Sequence, residues 1–125
     1  MASSSPAASH GDLPLEEFTR HADRLTRWIA DVLGSPERYP VLAQVAPGEI
    51  AAALPKAMPA QAETLDAILA DLDRVVMPGV THWNHPGFFA YFANSASVPG
   101  ILGELVSASL NQVGILWRTS PVLAE

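Results

Sequence analysis

Cysteine is absent from the 125 residues, which excludes disulfide bridges, a thiolate nucleophile and a zinc site with sulfur ligands. Basic residues are also few: seven Lys and Arg stand against thirteen Asp and Glu, giving a net charge of −6. Because a surface of this sign repels phosphate backbones, we expect no binding to nucleic acid. The simplest compartment for a chain without disulfides is the reducing cytoplasm.

Long apolar runs are missing as well. Pro, Asp, Glu or Asn interrupts each hydrophobic segment before it reaches the ~20 residues that a bilayer requires. The first residues lack the basic and apolar regions of a secretory signal, so we interpret residues 1–12 as a disordered tail. We therefore expect no membrane association.

The common catalytic motifs do not occur. The sequence contains neither a Gly-x-Ser-x-Gly elbow nor a glycine-rich phosphate loop. Lys56 is the only lysine and therefore the only side chain able to form a Schiff base, but its Pro-rich surroundings predict a solvated residue. His82 and His85 have the spacing of two metal ligands on one helical turn, yet Pro86 argues against a helix and no third ligand is evident. We favour partly buried, hydrogen-bonded histidines over a metal site.

Apolar residues at three-four spacing predict a first helix from about Leu15 to Val32. Asp12 can cap its start, Pro14 is tolerated in its first turn, and residues 34–36, Gly-Ser-Pro, end it. One apolar stripe must be covered by another helix of the chain or by a partner subunit, because a single helix cannot bury it. Both possibilities stay open, since three-four spacing is also the coiled-coil pattern.

Residues 36–61 contain five prolines, which predict a linker with one short helix at its centre, near residues 49–54. A second long helix is predicted from Thr64 to Val76. The aromatic residues 88–92 have short-strand or extended character.

A third long helix is predicted to start at Ser97 and Pro99 and to end at Gly114, with Val113 on its apolar side. From the residues alone, the simplest interpretation of residues 75–121 is an aromatic core packed between two helices.

Several short motifs of this region also lie at the spacing found in one enzyme family, with no insertion or deletion between them. They are Val-Val-Met-Pro-Gly-Val-Thr-His-Trp at 75–83, His85-Pro86, Phe-Phe-Ala-Tyr-Phe at 88–92, Pro99, Leu102-Gly103-Glu104, Asn111, Gly114, Trp117 and Ser120-Pro121. Together they resemble the N-terminal part of the group II, or aromatic-L-amino-acid, decarboxylases, which depend on pyridoxal 5′-phosphate (PLP).

The resemblance implies a mainly α chain: the N-terminal helical segment of a fold-type I PLP-dependent transferase-like α/β enzyme whose large domain is absent. Residues 13–76 would be a helical dimerisation arm with a Pro-rich linker. Residues 77–125 would be the truncated start of the pyridoxal-dependent decarboxylase domain, forming a wall of the substrate pocket. A cytoplasmic homodimer, joined through the arm, is the implied assembly.

The implied activity is that of a lyase in amino acid metabolism, and hence in carboxylic acid metabolic processes. A carboxy-lyase of this kind decarboxylates an aromatic L-amino acid through a PLP aldimine. The family's catalytic and cofactor-binding residues correspond to positions beyond Glu125, so we expect none in this chain and expect the fragment itself to be inactive. The alternative is a non-catalytic helical module for interaction or dimerisation.

The resemblance also assigns a substrate-binding role to particular positions: Trp83, Tyr91, Phe92 and Asn94, together with Val113 and Ile115 from the neighbouring subunit. Three positions depart from the family pattern: Ala93-Asn94 replaces a common Pro-Thr, and Ile115 replaces a common phenylalanine. Tyrosine, tryptophan, phenylalanine and dihydroxyphenylalanine all stay open as substrates. A decarboxylase and an aldehyde synthase of the family are not distinguished.

Overall fold

The computed structural model describes residues 13–60, 63–92 and 96–125. Within these ranges the chain forms helices and turns but no strand, which confirms the predicted mainly α class. The chain divides into two compact units, the first ending at Phe89 and the second beginning at Ala90. None of the helices in the described ranges has both the length and the apolar character needed to span a membrane.

Helix α1, Leu15–Gly34, confirms the first predicted helix. Glu16 and Glu17 lie in its first turn, where negative charge favours the positive end of the helix dipole. Pro14 is not inside the first turn as expected but precedes it, and its carbonyl accepts a hydrogen bond from the N–H of Phe18 (2.9 Å). The expected cap, Asp12, lies outside the described residues.

The linker contains a 3₁₀ turn, Pro36–Arg38, and the short helix α2, Glu49–Ala53, as predicted. Gly48 precedes α2 with a φ of 89°, a left-handed conformation that favours glycine. The carboxylate of Glu49 accepts a hydrogen bond from the N–H of Ala46 (2.9 Å), and the N–H of Glu49 donates to the carbonyl of Ala46 (3.1 Å). These reciprocal bonds fix the start of α2.

Helix α3, Leu65–Asp71, starts at Thr64, whose hydroxyl accepts a hydrogen bond from the N–H of Ala67 (3.3 Å). The predicted helix continues to Val76, but Leu72–Val76 is a π-helical segment and Met77–Gly79 is a 3₁₀ turn. Among the described residues, Val75 is the one apolar side chain that is buried, at 3% exposure. The apolar core is therefore thin, and polar contacts must contribute to holding α1 against α3.

The second unit contains helix α4, Val98–Leu110, and the short helix α5, Pro121–Ala124. The hydroxyl of Ser97 caps α4 by accepting a hydrogen bond from the N–H of Gly100 (3.2 Å), which confirms the predicted start. The predicted end at Gly114 was wrong. Asn111 adopts a left-handed conformation, φ 44° and ψ 50°, that ends α4, so Val113 lies outside the helix.

Residues 88–92 form no regular strand. Tyr91 has a φ of 59°, and this left-handed conformation interrupts the alternation that the sequence predicts. An isolated strand has no ladder of hydrogen bonds to hold it extended, and the described residues provide no second strand.

Candidate functional site

Residues 82–88 form two consecutive turns in the first unit. The N–H of His85 donates to the carbonyl of His82 (3.0 Å), and the N–H of Phe88 donates to the carbonyl of His85 (2.9 Å). The N–H of Gly87 donates to Nδ1 of His85 (2.8 Å), and a Cβ at Gly87 would lie only 3.1 Å from that atom. This close approach of Gly87 to the His85 ring favours glycine at position 87. The double turn also brings the rings of Trp83 and Phe88 together, with centroids 6.1 Å apart and planes 17° apart.

The linker holds the start of this double turn. The N–H of His82 donates to the carbonyl of Val41 (2.9 Å), and the N–H of Gln44 donates to the carbonyl of Pro78 (3.4 Å). The imidazole of His82 stacks on the ring of Tyr39, with centroids 4.7 Å apart and planes 9° apart. His82 thus has both a backbone and a side-chain contact with the linker.

His82 is 7% exposed, and burial is the main reason why its pKa lies below the ordinary value, with a smaller contribution from the charge of His85. Its Nε2 is buried without a hydrogen-bond partner in the described parts of the chain, so the expectation of a fully hydrogen-bonded histidine was wrong for this atom. The expectation was right for His85, because its Nδ1 accepts from Gly87.

The side chains assigned to substrate binding are at least half exposed: Trp83 50%, Tyr91 85%, Phe92 108%, Val113 54% and Ile115 81%. Trp83 belongs to the first unit, and the other four belong to the second. Tyr91 and Phe92 are neighbours in sequence, while Val113 and Ile115 share the loop between α4 and α5, where the carbonyl of Val113 accepts from the hydroxyl of Thr119 (3.0 Å). Asn94 lies outside the described residues.

The described residues do not form a site for a carbonyl cofactor or a metal. Lys56, the only lysine, lies in residues 51–60, every one of which is exposed, so no wall encloses a cofactor there. In the described ranges no three His, Asp or Glu side chains are grouped so that they could hold a metal ion. What the described residues present is a set of exposed aromatic and apolar side chains.

Comparison with known families identifies the kind of protein to which this exposed surface belongs. Residues 47–125 match the family described as the pyridoxal-dependent decarboxylase conserved domain. The chain belongs to the pyridoxal-dependent decarboxylase family. This assignment confirms the resemblance found in the sequence. The described residues do not fit the PLP for which the family is named, since Lys56 is exposed and nothing encloses it.

Individual members of the decarboxylase family agree with this assignment. A phenylacetaldehyde synthase of Petunia hybrida is 46% identical over 110 residues, covering 88% of this chain and 22% of the relative. A tyrosine decarboxylase of Petroselinum crispum is 43% identical over 110 residues, which again cover 88% of this chain and 22% of the relative. The crystal structure of tryptophan decarboxylase from Catharanthus roseus in complex with L-tryptophan matches with a TM-score of 0.80 at 40% identity, over 87% of this chain and 24% of that protein. The chain thus spans about a quarter of the length of these decarboxylases or less.

Two contacts of this decarboxylase segment were missed by sequence reasoning. Phe88 was assigned to the extended aromatic stretch, although the Pro86-Gly87 turn was a signal that it could fold back onto Trp83. Tyr39 had no signal beyond its place in a Pro-rich linker, and it precedes the range matched to the family.

Proposed function

We propose that this chain is the N-terminal segment of a PLP-dependent carboxy-lyase that decarboxylates an aromatic L-amino acid. The observation that carries the proposal is the identity of 43% and 42%, over 88% of the chain, to a tyrosine decarboxylase and a tryptophan decarboxylase. The identity of 46% to a phenylacetaldehyde synthase keeps the aldehyde-forming reaction open beside it. The family's cofactor supplies the bond-breaking chemistry, and we place its anchoring groups in polypeptide outside this chain.

The role of this segment would be to line the substrate pocket. Trp83, Tyr91 and Phe92 are exposed. In the whole polypeptide each would offer flat apolar surface to an aromatic ring and help to exclude water from it. Asn94 would lie near the substrate. Ile115 replaces an aromatic residue of the family, which would weaken stacking by about 1 kcal/mol.

The assembly belongs to the same proposal. Residues 13–76 would serve as a dimerisation arm after the tail of residues 1–12, and residues 77–125 would begin the decarboxylase domain. In a cytoplasmic homodimer joined through the arm, Val113 and Ile115 would reach the pocket of the neighbouring subunit. Their exposure of 54% and 81% leaves both side chains available for such a contact.

The test uses the whole natural polypeptide that carries these residues, supplied with PLP. It is offered L-tryptophan, L-tyrosine, L-phenylalanine and L-dihydroxyphenylalanine in turn, with L-glutamate as the control, and released carbon dioxide is measured. We expect release from at least one aromatic substrate and none from L-glutamate. Mass spectrometry of the product, amine or aldehyde, separates a decarboxylase from an aldehyde synthase.

A second measurement concerns the 125-residue chain alone. Treated with PLP and borohydride, it should carry no stoichiometric pyridoxyl group at Lys56, because that lysine and its neighbours are exposed and form no cofactor pocket. Such an adduct would contradict the proposal that the groups anchoring PLP lie outside this chain. Absence of carbon dioxide release from every aromatic substrate by the whole polypeptide would instead favour the alternative, a non-catalytic helical module.

A further inference from the structure

A continuous series of side-chain contacts runs from the C-terminal part of α1 to the double turn of residues 82–88. It begins at Asp31, whose carboxylate accepts a hydrogen bond from Nη2 of Arg38 (2.8 Å) and whose carbonyl accepts another from the same nitrogen (3.0 Å). This carboxylate raises the pKa of Arg38, mainly by its hydrogen bond and then by its charge, so Arg38 stays a cation. The guanidinium carbon of Arg38 lies 5.7 Å from the centroid of the Tyr39 ring, within the range of a cation–π contact.

Tyr39 in turn determines the position of His82. The two rings lie nearly parallel at 4.7 Å, and the neighbouring N–H of His82 is bonded to the carbonyl of Val41 (2.9 Å). One contact fixes the plane of the imidazole and the other fixes the backbone. With His82 buried, at 7% exposure, little freedom remains at the residue directly before Trp83.

Trp83 is then restrained from both sides. Its backbone follows the fixed His82, and its indole stacks on Phe88, which the turn at His85 and Gly87 holds in place. The indole of Trp83, a half-exposed residue, is therefore held in one orientation. A pocket wall gains affinity from such restraint, because less side-chain freedom is lost when a ligand binds.

We propose that Tyr39 is a positioning residue for the substrate-pocket wall: through its stack on His82 it sets the orientation of the Trp83 indole. The inference rests on the proposed function, and it adds a residue from the linker that precedes the matched family range, residues 47–125. The linker between α1 and α2 then has a role in substrate binding as well as in connecting two helices.

The test compares Tyr39→Leu with Tyr39→Phe in the whole natural polypeptide with PLP. Tyr39→Phe keeps the aromatic stack, whereas Tyr39→Leu removes it. We expect Tyr39→Leu to raise KM for the preferred aromatic substrate about fivefold with kcat almost unchanged, because the wall binds the ring alike in the ground and transition states. Tyr39→Phe should retain the KM of the unmodified protein.

A matched control is Trp28→Phe, which removes the hydrogen bond from the indole Nε1 to Asp73 (2.9 Å) and so weakens the contact between α1 and the π-helical segment Leu72–Val76 in the same unit. This hydrogen bond is not part of the series that leads to Trp83. It should lower thermal stability and leave KM unchanged. If Trp28→Phe raises KM as much as Tyr39→Leu does, the effect is general destabilisation and the positioning role is refuted.

A second readout does not require activity. The protein is labelled with 5-fluorotryptophan, and the ¹⁹F resonance of Trp83 is identified by its loss in Trp83→Phe. We expect Tyr39→Leu to shift and broaden this resonance, and Tyr39→Phe to leave it in place. An unchanged resonance in Tyr39→Leu would overturn the inference. If the polypeptide releases no carbon dioxide at all, the proposed function fails, and the ¹⁹F result alone decides whether Tyr39 orients Trp83.

Discussion

Burial lowers the pKa of His82. The imidazole is 7% exposed and stacked on Tyr39, and both burial and the charge of His85 lower its pKa below the ordinary value of 6.5. The folded chain therefore binds this proton less readily than the unfolded chain does. The stability contributed by neutral His82 is complete above pH 6.5 and decreases as the pH falls towards the folded-state pKa.

The resulting prediction concerns unfolding between pH 7.5 and 5.5. We expect the free energy of unfolding to fall on acidification, by at most about 1.4 kcal/mol per pH unit for one group. In His82→Phe, which keeps an aromatic ring against Tyr39 but cannot titrate, the decrease should be smaller. Urea unfolding followed by circular dichroism at pH 5.5, 6.5 and 7.5 measures both proteins. Parallel decreases in the two would contradict this role for His82.

At the scale of elements, α1 and α3 are joined by a cluster of charges around Asp66. Its carboxylate accepts hydrogen bonds from Arg20 (3.3 Å) and Arg24, and lies 3.7 Å from Nδ1 of the buried His21. Burial by itself raises the pKa of Asp66, but the hydrogen bond from Arg20, reinforced by the neighbouring positive charges, outweighs it and lowers the pKa. One carboxylate on α3 thus holds two arginines of α1.

We expect Asp66→Asn to lower the melting temperature of the helices more than Asp71→Asn does. Asp71 is the matched control, because among the described residues its carboxylate pairs with Arg74, three residues further along the chain, and not with a residue of α1. Thermal melting by circular dichroism at low ionic strength and in 1 M NaCl measures the difference, which should shrink in salt because these carboxylates are near the surface. Equal losses for the two variants would show that the cluster does not join the helices.

The elements also show what local sequence can predict. The starts of α1, α3 and α4 follow from apolar spacing and from capping residues such as Thr64 and Ser97. The early end of α4 did not follow, because asparagine adopts the left-handed conformation only in some contexts, and Gly114 was the stronger local signal. The stack of Tyr39 on His82 joins residues far apart in sequence, so only the folded chain reveals it.

At the scale of the whole molecule, α4 is mostly apolar and none of its residues is buried. Five of its large apolar side chains are at least half exposed: Val98, Leu102, Leu105, Val106 and Leu110. A helix of this composition is normally covered in a folded protein. The side chains of the candidate site are likewise exposed. They were predicted from a family resemblance, because exposed aromatic side chains have no periodicity that marks them as a pocket wall.

We therefore expect the 125-residue chain to self-associate when isolated, because association removes apolar surface from water. Analytical ultracentrifugation across a concentration series should show a rising mean mass. The double variant Leu102→Glu with Leu105→Lys, which places charges on α4, should reduce this association. If the chain stays monomeric at all concentrations and unfolds cooperatively, the prediction of self-association through exposed apolar surface is contradicted.

The most direct measurement is a crystal structure of the whole natural polypeptide with PLP and a hydrazine analogue of its preferred aromatic amino acid, which forms a stable adduct with the cofactor. We expect the analogue's ring to contact Trp83, Tyr91 or Phe92 of one subunit and Val113 or Ile115 of a second subunit, while PLP is bound by residues outside these 125. A ring that touches none of these side chains, or a cofactor bound at Lys56, would contradict it.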